Sequence, residues 1–281
     1  MGNIIDAICG IVKNPKFQLK AYSDTHNRAN NMGEALEEYV KDIFAGTVGE
    51  NDLLLRNKKI SDSFSYLGNK NNPPDSILKN GDAIEVKKIE SNDSGLALNS
   101  SYPKSKLFSN SPMISSECRD CEKWEIKDMI YAVGIVKNNV LKSLSFVYGT
   151  DYCADKQTYE KIKNTIKDGV ESIPNVEFAE TKELGRVNRV DPLGITYLRV
   201  RGMWGIDNPF KVFNYVYNRD YSKEFNFMAI INKEKLEEFD NINKLYILKE
   251  QYENLKLKEI SIKNPNNPAK LIPALLITYY V

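Results

Sequence analysis

The chain has 281 residues, 42% hydrophobic and 27% charged, with 39 Lys+Arg against 38 Asp+Glu. That length buries a sizeable core as one large domain or two small ones, and this apolar content excludes intrinsic disorder. A mean hydropathy of −0.46, with no apolar run long enough to span a bilayer, excludes a membrane helix.

In chain order, residues 3–13 read as a short amphipathic helix, with Ile4, Ile5, Ile8, Ile11 and Val12 on one side. Residues 32–45 form a stronger helix, with Leu36, Val40, Ile43 and Phe44 at helical spacing and Gly46 just past its end. A polar, Asn-rich loop from Gly68 to Pro74 follows, and then a hairpin, two runs on either side of Asn80-Gly81-Asp82. Residues 128–137 and 140–149 read as strands around the turn Asn138-Asn139. A helix over 155–171, a strand over 195–201, a helix near 209–217, a strand at 225–231 and an apolar strand near 271–280 complete the pattern. Interleaved strands and helices predict an α/β fold, a mixed central β-sheet flanked by helices. With no repeat and no dividing linker, residues 1–281 are expected to form a single domain.

The start, Met-Gly-Asn-Ile-Ile-Asp, lacks the basic stretch and cleavage site of a secretory signal, and Asp6 stands where a myristoylation signal places Ser or Thr. Four cysteines in a chain this long make no disulfide framework, so the expected compartment is the cytoplasm. Cys118-Arg-Asp-Cys121 has the spacing of half a zinc site, but Cys9, Cys153 and His26, the residues that would complete it, are remote. His26 is the single histidine, with no partner motif for a catalytic triad.

The hairpin carries the chemistry. Pro74-Asp75 precedes Glu85-Val86-Lys87, which places two carboxylates and an ammonium near one end of a strand pair. Hard oxygen ligands of this kind suit Mg²⁺, and a lysine beside them orients a water, which together suffice for metal-assisted phosphodiester hydrolysis. The acid-x-Lys triplet alone carries nothing, since Glu125-Ile-Lys127 and Glu180-Thr-Lys182 match it equally well. Register provides a test. A two-residue loop over Asn80-Gly81 would set Asp75 opposite Val86 and on the wrong face. A three-residue loop over 80–82 would set Asp75 opposite Lys87, with Asp75, Glu85 and Lys87 on one face and Leu78, Ile84 and Val86 on the buried one. The chemistry therefore predicts the odd-length loop, or an Asp75 that bends in from the strand end.

Charge is unevenly distributed. Four of eight arginines, Arg186, Arg189, Arg199 and Arg201, fall within residues 186–201, beside a single acid, Asp191. In a lysine-rich chain this window calls for the planar fork of guanidinium. Arg199 and Arg201 alternate with apolar residues, so on a strand both face outward, while Arg186, Asn188 and Arg189 lie in the preceding polar stretch. The plain alternative is a salt-bridged sheet face. Lys104 and Lys106 are placed to contact phosphate just beyond the catalytic strand, or are simple surface lysines.

Pro74-Asp75…Glu85-Val86-Lys87 resembles the active-site signature of the PD-(D/E)xK nucleases. Longer blocks resemble the NgoPII-type type II restriction endonucleases: Asn27–Asn30, Gly33–Lys41, Gly68–Glu90, Leu98–Ser101, Glu183–Pro192 and Tyr197–Gly205. The resemblance runs from about residue 27 to 232 and is weak over the last fifty residues. It implies a PD-(D/E)xK restriction-endonuclease-like core and a homodimeric, Mg²⁺-dependent endonuclease that cuts double-stranded DNA at a short palindrome, with GGCC as the expected site. Asp75 and Glu85 match the metal-binding acids, and Lys87 the lysine that positions the attacking water. Glu37 fits the helix-borne glutamate of many members, with Glu34 and Glu38 as rivals. A site of G·C pairs would also explain the arginine window at about 183–205, because bidentate arginine is the commonest reader of guanine. A cognate DNA methyltransferase is expected in the host. The competing readings are a structure-specific nuclease of the same superfamily and a non-catalytic DNA-binding protein on a nuclease scaffold.

Overall fold

The N-terminal apolar stripe closes into helix α1 (Ile4–Lys13) in a computed structural model that describes residues 2–19, 32–69 and 72–281. Asn3 caps it by accepting the backbone N–H groups of Ile5 and Asp6, while Asp6 and Lys13 sit at the ends favoured by the helix dipole. Its buried face packs with that of α2 (Met32–Ala45), where Leu36, Tyr39, Val40, Ile43 and Phe44 are buried. A third helix, α3 (Leu53–Ser63), has only Arg56 and Ile60 buried, so it carries little of the apolar period that reveals a helix in sequence.

The strands are β1 (Phe64–Tyr66), β2 (Ser76–Leu78), β3 (Ala83–Ile89), β4 (Leu96–Asn99), β5 (Lys106–Phe108), β6 (Ile126–Lys137), β7 (Val140–Tyr148), β8 (Glu177–Phe178), β9 (Gly185–Asn188), β10 (Leu198–Val200), β11 (Trp204–Ile206), β12 (Asn226–Asn232), β13 (Leu255–Asn264) and β14 (Asn267–Tyr280). The large sheet runs β1-β2-β3-β6-β7-β12-β14-β13, with β5 added along β6. β3 and β6 are parallel, as are β7 and β12. The other pairs are antiparallel, so the sheet is mixed. The β6–β7 turn holds Asn138 and Asn139 at φ 49° and 65°, the left-handed pair that a two-residue hairpin needs.

Alternation divides the sheet between two cores. Ile84, Val86, Ile130, Ala132, Phe146 and Phe227 face α1 and α2. Ala83, Ile89, Met129, Tyr131, Val133 and Met228 face the opposite side, against Cys118, Phe210 and Phe213. Cys118 is therefore a core residue, and all four cysteines are free thiols. Among the described residues no helix is long and apolar enough to cross a membrane.

Several boundaries differ from the sequence reading. The strand expected over 195–201 is confined to Leu198–Val200, because Asp191 organises residues 191–196 into a turn of their own. The helix expected near 209–217 ends at Val212, and turns continue to Tyr217. Helix Asn243–Gln251 and strand β13 were not anticipated. His26 and the block Asn27–Asn30 lie outside the described residues.

Candidate active site

The hairpin register is Ser76 opposite Ile84 and Ile77 opposite Ala83. Leu78 N–H donates to the Asp82 carbonyl at 2.9 Å, and Asn80 takes φ 53°. The loop is thus odd in length, but it covers 79–81 rather than 80–82. This corrects the expected partner: in this register Asp75 comes opposite Glu85, not Lys87. The cause is Asp82, which a buried network holds at the foot of β3 so that its carbonyl meets Leu78 N–H. It accepts from Tyr148 Oη at 2.7 Å and from Lys235 Nζ at 3.1 Å. Parity survives the shift, so Asp75, Glu85 and Lys87 still share one face. Leu78, Ile84 and Val86 share the other, within the α1–α2 core.

The trio is tightly joined. Val86 N–H donates to Asp75 Oδ2 at 2.6 Å, and Lys87 Nζ stands 2.6 Å from Glu85 Oε1 and 4.0 Å from Asp75 Oδ2. Gly68, at φ +39°, lies so close to Asp75 that a Cβ there would overlap the Asp75 carbonyl oxygen. Burial, then the Glu85 and Glu37 carboxylates, push Asp75 up to about 8, against the Lys87 ammonium. Burial alone would lower the Lys87 ammonium, but Glu85 and Asp75 more than reverse it. Glu85 Oε2 is buried with no hydrogen-bond partner.

The three glutamates of helix α2 have different surroundings. Glu37 lines a cleft with Asp75 and Lys87, as does Glu34. Burial raises the Glu37 carboxyl, with Glu34 and Glu85 adding to the effect. Glu38 instead pairs with Lys41 at 3.1 Å and with the buried Arg56 at 2.9 Å.

The two lysines beyond the hairpin separate. Lys106 is exposed and pairs with Asp128 at 3.0 Å. Lys104 is only 8% exposed and lines the same cleft as Asp75, Glu85 and Lys87, which corrects the surface reading of it. Burial pushes its ammonium down to about 8. Tyr131, Ser101 and Asn72 also line this cleft and were not singled out from sequence. Ser101 closes one of the family-like blocks, the one signal that marked it in advance.

The arginines lie on a separate three-stranded sheet, β10-β9-β8, or one residue beyond its strands. Arg199 is directly opposite Arg186, an arrangement of like charges that needs compensation. Arg199 takes it from Glu183, at 3.0 and 2.6 Å, and Arg201 bonds the same carboxylate at 2.7 Å. Arg186 instead lies over the Tyr197 ring, 5.1 Å from its centroid. Arg189, at φ 48°, is exposed and 3.5 Å from Glu177, and Asn188 ends β9 half-buried. The face is salt-bridged through Glu183, and the arginines on it are exposed. None of these arginines lines the cleft of Asp75, Glu85 and Lys87. The link is β11, which pairs with β4 and sets Trp204 opposite Asn99 at the cleft wall.

A mixed sheet flanked by helices, with two acids and a lysine on one hairpin face, defines an enzyme with a restriction-endonuclease fold. The comparison with known families is more particular: the NgoPII restriction endonuclease family matches residues 2–263. The chain belongs to that family and is a type II restriction endonuclease. It is 58% identical over 282 residues to the type II restriction enzyme NgoPII of Neisseria gonorrhoeae, a match covering 99% of this chain and 100% of that protein. No solved structure gives a significant match. The family match extends well beyond residue 232, so most of the C-terminal region that looked unfamiliar in sequence belongs to it.

Proposed function

We propose that this enzyme hydrolyses phosphodiester bonds of double-stranded DNA at a short palindrome, GGCC, using Mg²⁺ held by Asp75 and Glu85. The observation that carries the cofactor is the buried, unpartnered Oε2 of Glu85 beside an Asp75 carboxyl pushed up to about 8. Two carboxylates crowded against one ammonium lack positive charge, and a divalent cation supplies it. Mg²⁺ suits such a pair, because it takes one or two carboxylates and completes its shell with waters and substrate phosphate. When bound, the ion supplies Lewis-acid stabilisation of the charge developing on the phosphoryl group.

The chain's own residues do the rest. Lys87, held on Glu85 and Asp75, orients the attacking water, and Glu37 adds negative charge from the α2 side. Breakage of the P–O3′ bond leaves a 5′-phosphate and a 3′-hydroxyl. Arg186, Asn188, Arg189, Arg199 and Arg201 read bases or clamp phosphates, and Lys106 contacts phosphate at the edge. A two-fold dimer matches a two-fold site, one half-site to each subunit. Residues 1–281 act as one domain, with both cores on a single sheet. Four free thiols suit a reducing cytoplasm, where a cognate methyltransferase protects host DNA.

The test is a plasmid digest with Mg²⁺, with EDTA and with Lys87→Ala protein, followed by sequencing of the ends. Fragments all ending in GGCC, and lost in both controls, are expected. Fragments ending in another palindrome keep the chemistry and refute the site. Folded protein that shifts duplex DNA and never cuts it refutes the hydrolytic assignment.

A further inference from the structure

The cleft holds two lysines in opposite circumstances. Lys87 is saturated by carboxylates, 2.6 Å from Glu85 and 4.0 Å from Asp75. Lys104 is only 8% exposed, yet among the described residues no carboxylate lies within 4 Å of its ammonium. Its Nζ donates to Ser101 Oγ and sits 5.0 Å from the centre of the Tyr102 ring. A buried ammonium whose contacts are a hydroxyl and a ring, with no carboxylate paired to it, is costly unless an anion arrives.

The position is built rather than incidental. Lys104 N–H donates to Tyr131 Oη at 2.7 Å, fixing the segment to β6. Gly149 approaches the Lys104 carbonyl so closely that a Cβ there would overlap it. The charged and titratable groups that act on the ammonium are Glu85 from β3, Cys153 beyond β7 and Lys163 from helix Lys156–Glu171. Lys87 and Glu85 project from the hairpin strand, whereas Lys104 comes from the segment after β4, so the lysines enter the cleft from different chain segments.

We infer that Lys104 is a second catalytic lysine, whose ammonium meets the 3′-oxygen that leaves as each strand breaks. The inference rests on the hydrolytic reading above and assigns a role to a group that reading leaves idle. The oxygen of the attacking water bonds to phosphorus, and its proton passes to solvent. The P–O3′ bond breaks with its electron pair moving to O3′, and Lys104 supplies the proton that completes the 3′-hydroxyl. Lys104 then recovers a proton from solvent. Burial helps: an ammonium lowered to about 8 gives up its proton more readily than Lys87, whose carboxylates raise it.

The experiment uses the full-length enzyme, Mg²⁺ and two duplexes carrying the cleavage site. One has an ordinary scissile phosphate; in the other sulfur replaces the bridging 3′-oxygen, so the leaving thiolate needs no proton. Lys104→Met should cut the oxygen duplex about 100- to 10,000-fold more slowly than wild type, and the sulfur duplex at close to the wild-type rate. Lys104→Arg, which keeps the charge but holds its proton, should stay slow on oxygen. Metal-free DNA affinity and thermal unfolding check that both variants are folded, and Lys104→Gln replaces the methionine variant if that one unfolds. Equal slowing on both duplexes, full activity of Lys104→Met on oxygen, or rescue by arginine overturns the inference while the hydrolytic reading stands. Wild-type enzyme that cuts neither duplex overturns both.

Discussion

Val86 donates its backbone N–H to Asp75 Oδ2 at 2.6 Å, so the first acid of the site is fastened to the strand that carries Glu85 and Lys87. The bond aligns Asp75 although it stands one residue before β2, outside the regular ladder. Replacing Asp75 by Asn keeps the shape and removes the charge, and Lys87→Ala removes the ammonium held between the two acids. Each is expected to lower single-turnover cleavage about 100- to 1,000-fold while leaving duplex binding in Ca²⁺ within a few fold of wild type. A variant that keeps a tenth of wild-type activity would remove its residue from the site.

Asp75 also makes stability depend on pH and metal. Its carboxyl is pushed up to about 8, first by burial and then by Glu85 and Glu37, so the folded protein holds a proton that the unfolded chain loses near pH 4. Below that point the contribution is complete. As pH rises through the window up to about 8, the folded state binds more protons than the unfolded one, and stability falls. Mg²⁺ competes with that proton, so its gain in Tm should be small near about pH 6 and larger near about pH 8.5. Scanning fluorimetry with and without Mg²⁺ measures it. A gain independent of pH, or one unchanged in Asp75→Asn, would contradict the assignment.

Arg56 is 1% exposed and forks onto Asp42, 0% exposed, at 2.7 and 3.0 Å, with a third bond to Glu38 at 2.9 Å. The cluster ties α3 to α2, the helix that delivers Glu37 to the cleft. Arg56→Met leaves Asp42 charged and buried and should cost about 3–5 kcal/mol. The double variant Arg56→Met, Asp42→Leu should recover much of that loss, because no charge is then left unpaired. Urea unfolding of the two proteins distinguishes this from a cluster that contributes only at the surface, in which case both variants would stay near wild type.

What was legible in the sequence follows from range. Alternation is a local signal, so once the loop is odd in length the shared face of Asp75, Glu85 and Lys87 follows from residue parity, and the apolar stripe of α1 follows from its three- and four-residue spacing. The position of the loop could not, because Asp82 is held at the foot of β3 by Tyr148 and Lys235, which are distant in sequence. Lys104 shows the same limit more sharply. Ser100-Ser-Tyr-Pro-Lys-Ser-Lys106 reads as a polar surface tract, and the contacts that bury Lys104 come from Tyr131 and Gly149. Nor does spacing reveal that Arg199 and Arg201 converge on Glu183, since the pairing depends on how β10 registers against β9.

That convergence yields a prediction about specificity. Glu183 holds Arg199 and Arg201 in one fork, so in the absence of DNA it keeps two exposed guanidinium groups oriented but partly neutralised. If the fork presents them to base edges, Arg199→Ala should cost about 1–3 kcal/mol on the cognate duplex, with a much smaller loss on unrelated DNA. Glu183→Gln leaves the hydrogen-bonding shape and removes the negative charge. It should strengthen binding to unrelated duplexes at low salt and steepen the salt dependence, because two freed cations now displace counterions. The ratio of cognate to unrelated affinity should therefore fall in both variants, from opposite ends. Fluorescence anisotropy against the cognate and a scrambled duplex over a salt series reads this directly. Equal losses on both duplexes for Arg199→Ala would make the arginine a phosphate clamp, and base reading would then pass to Arg186 and Asn188.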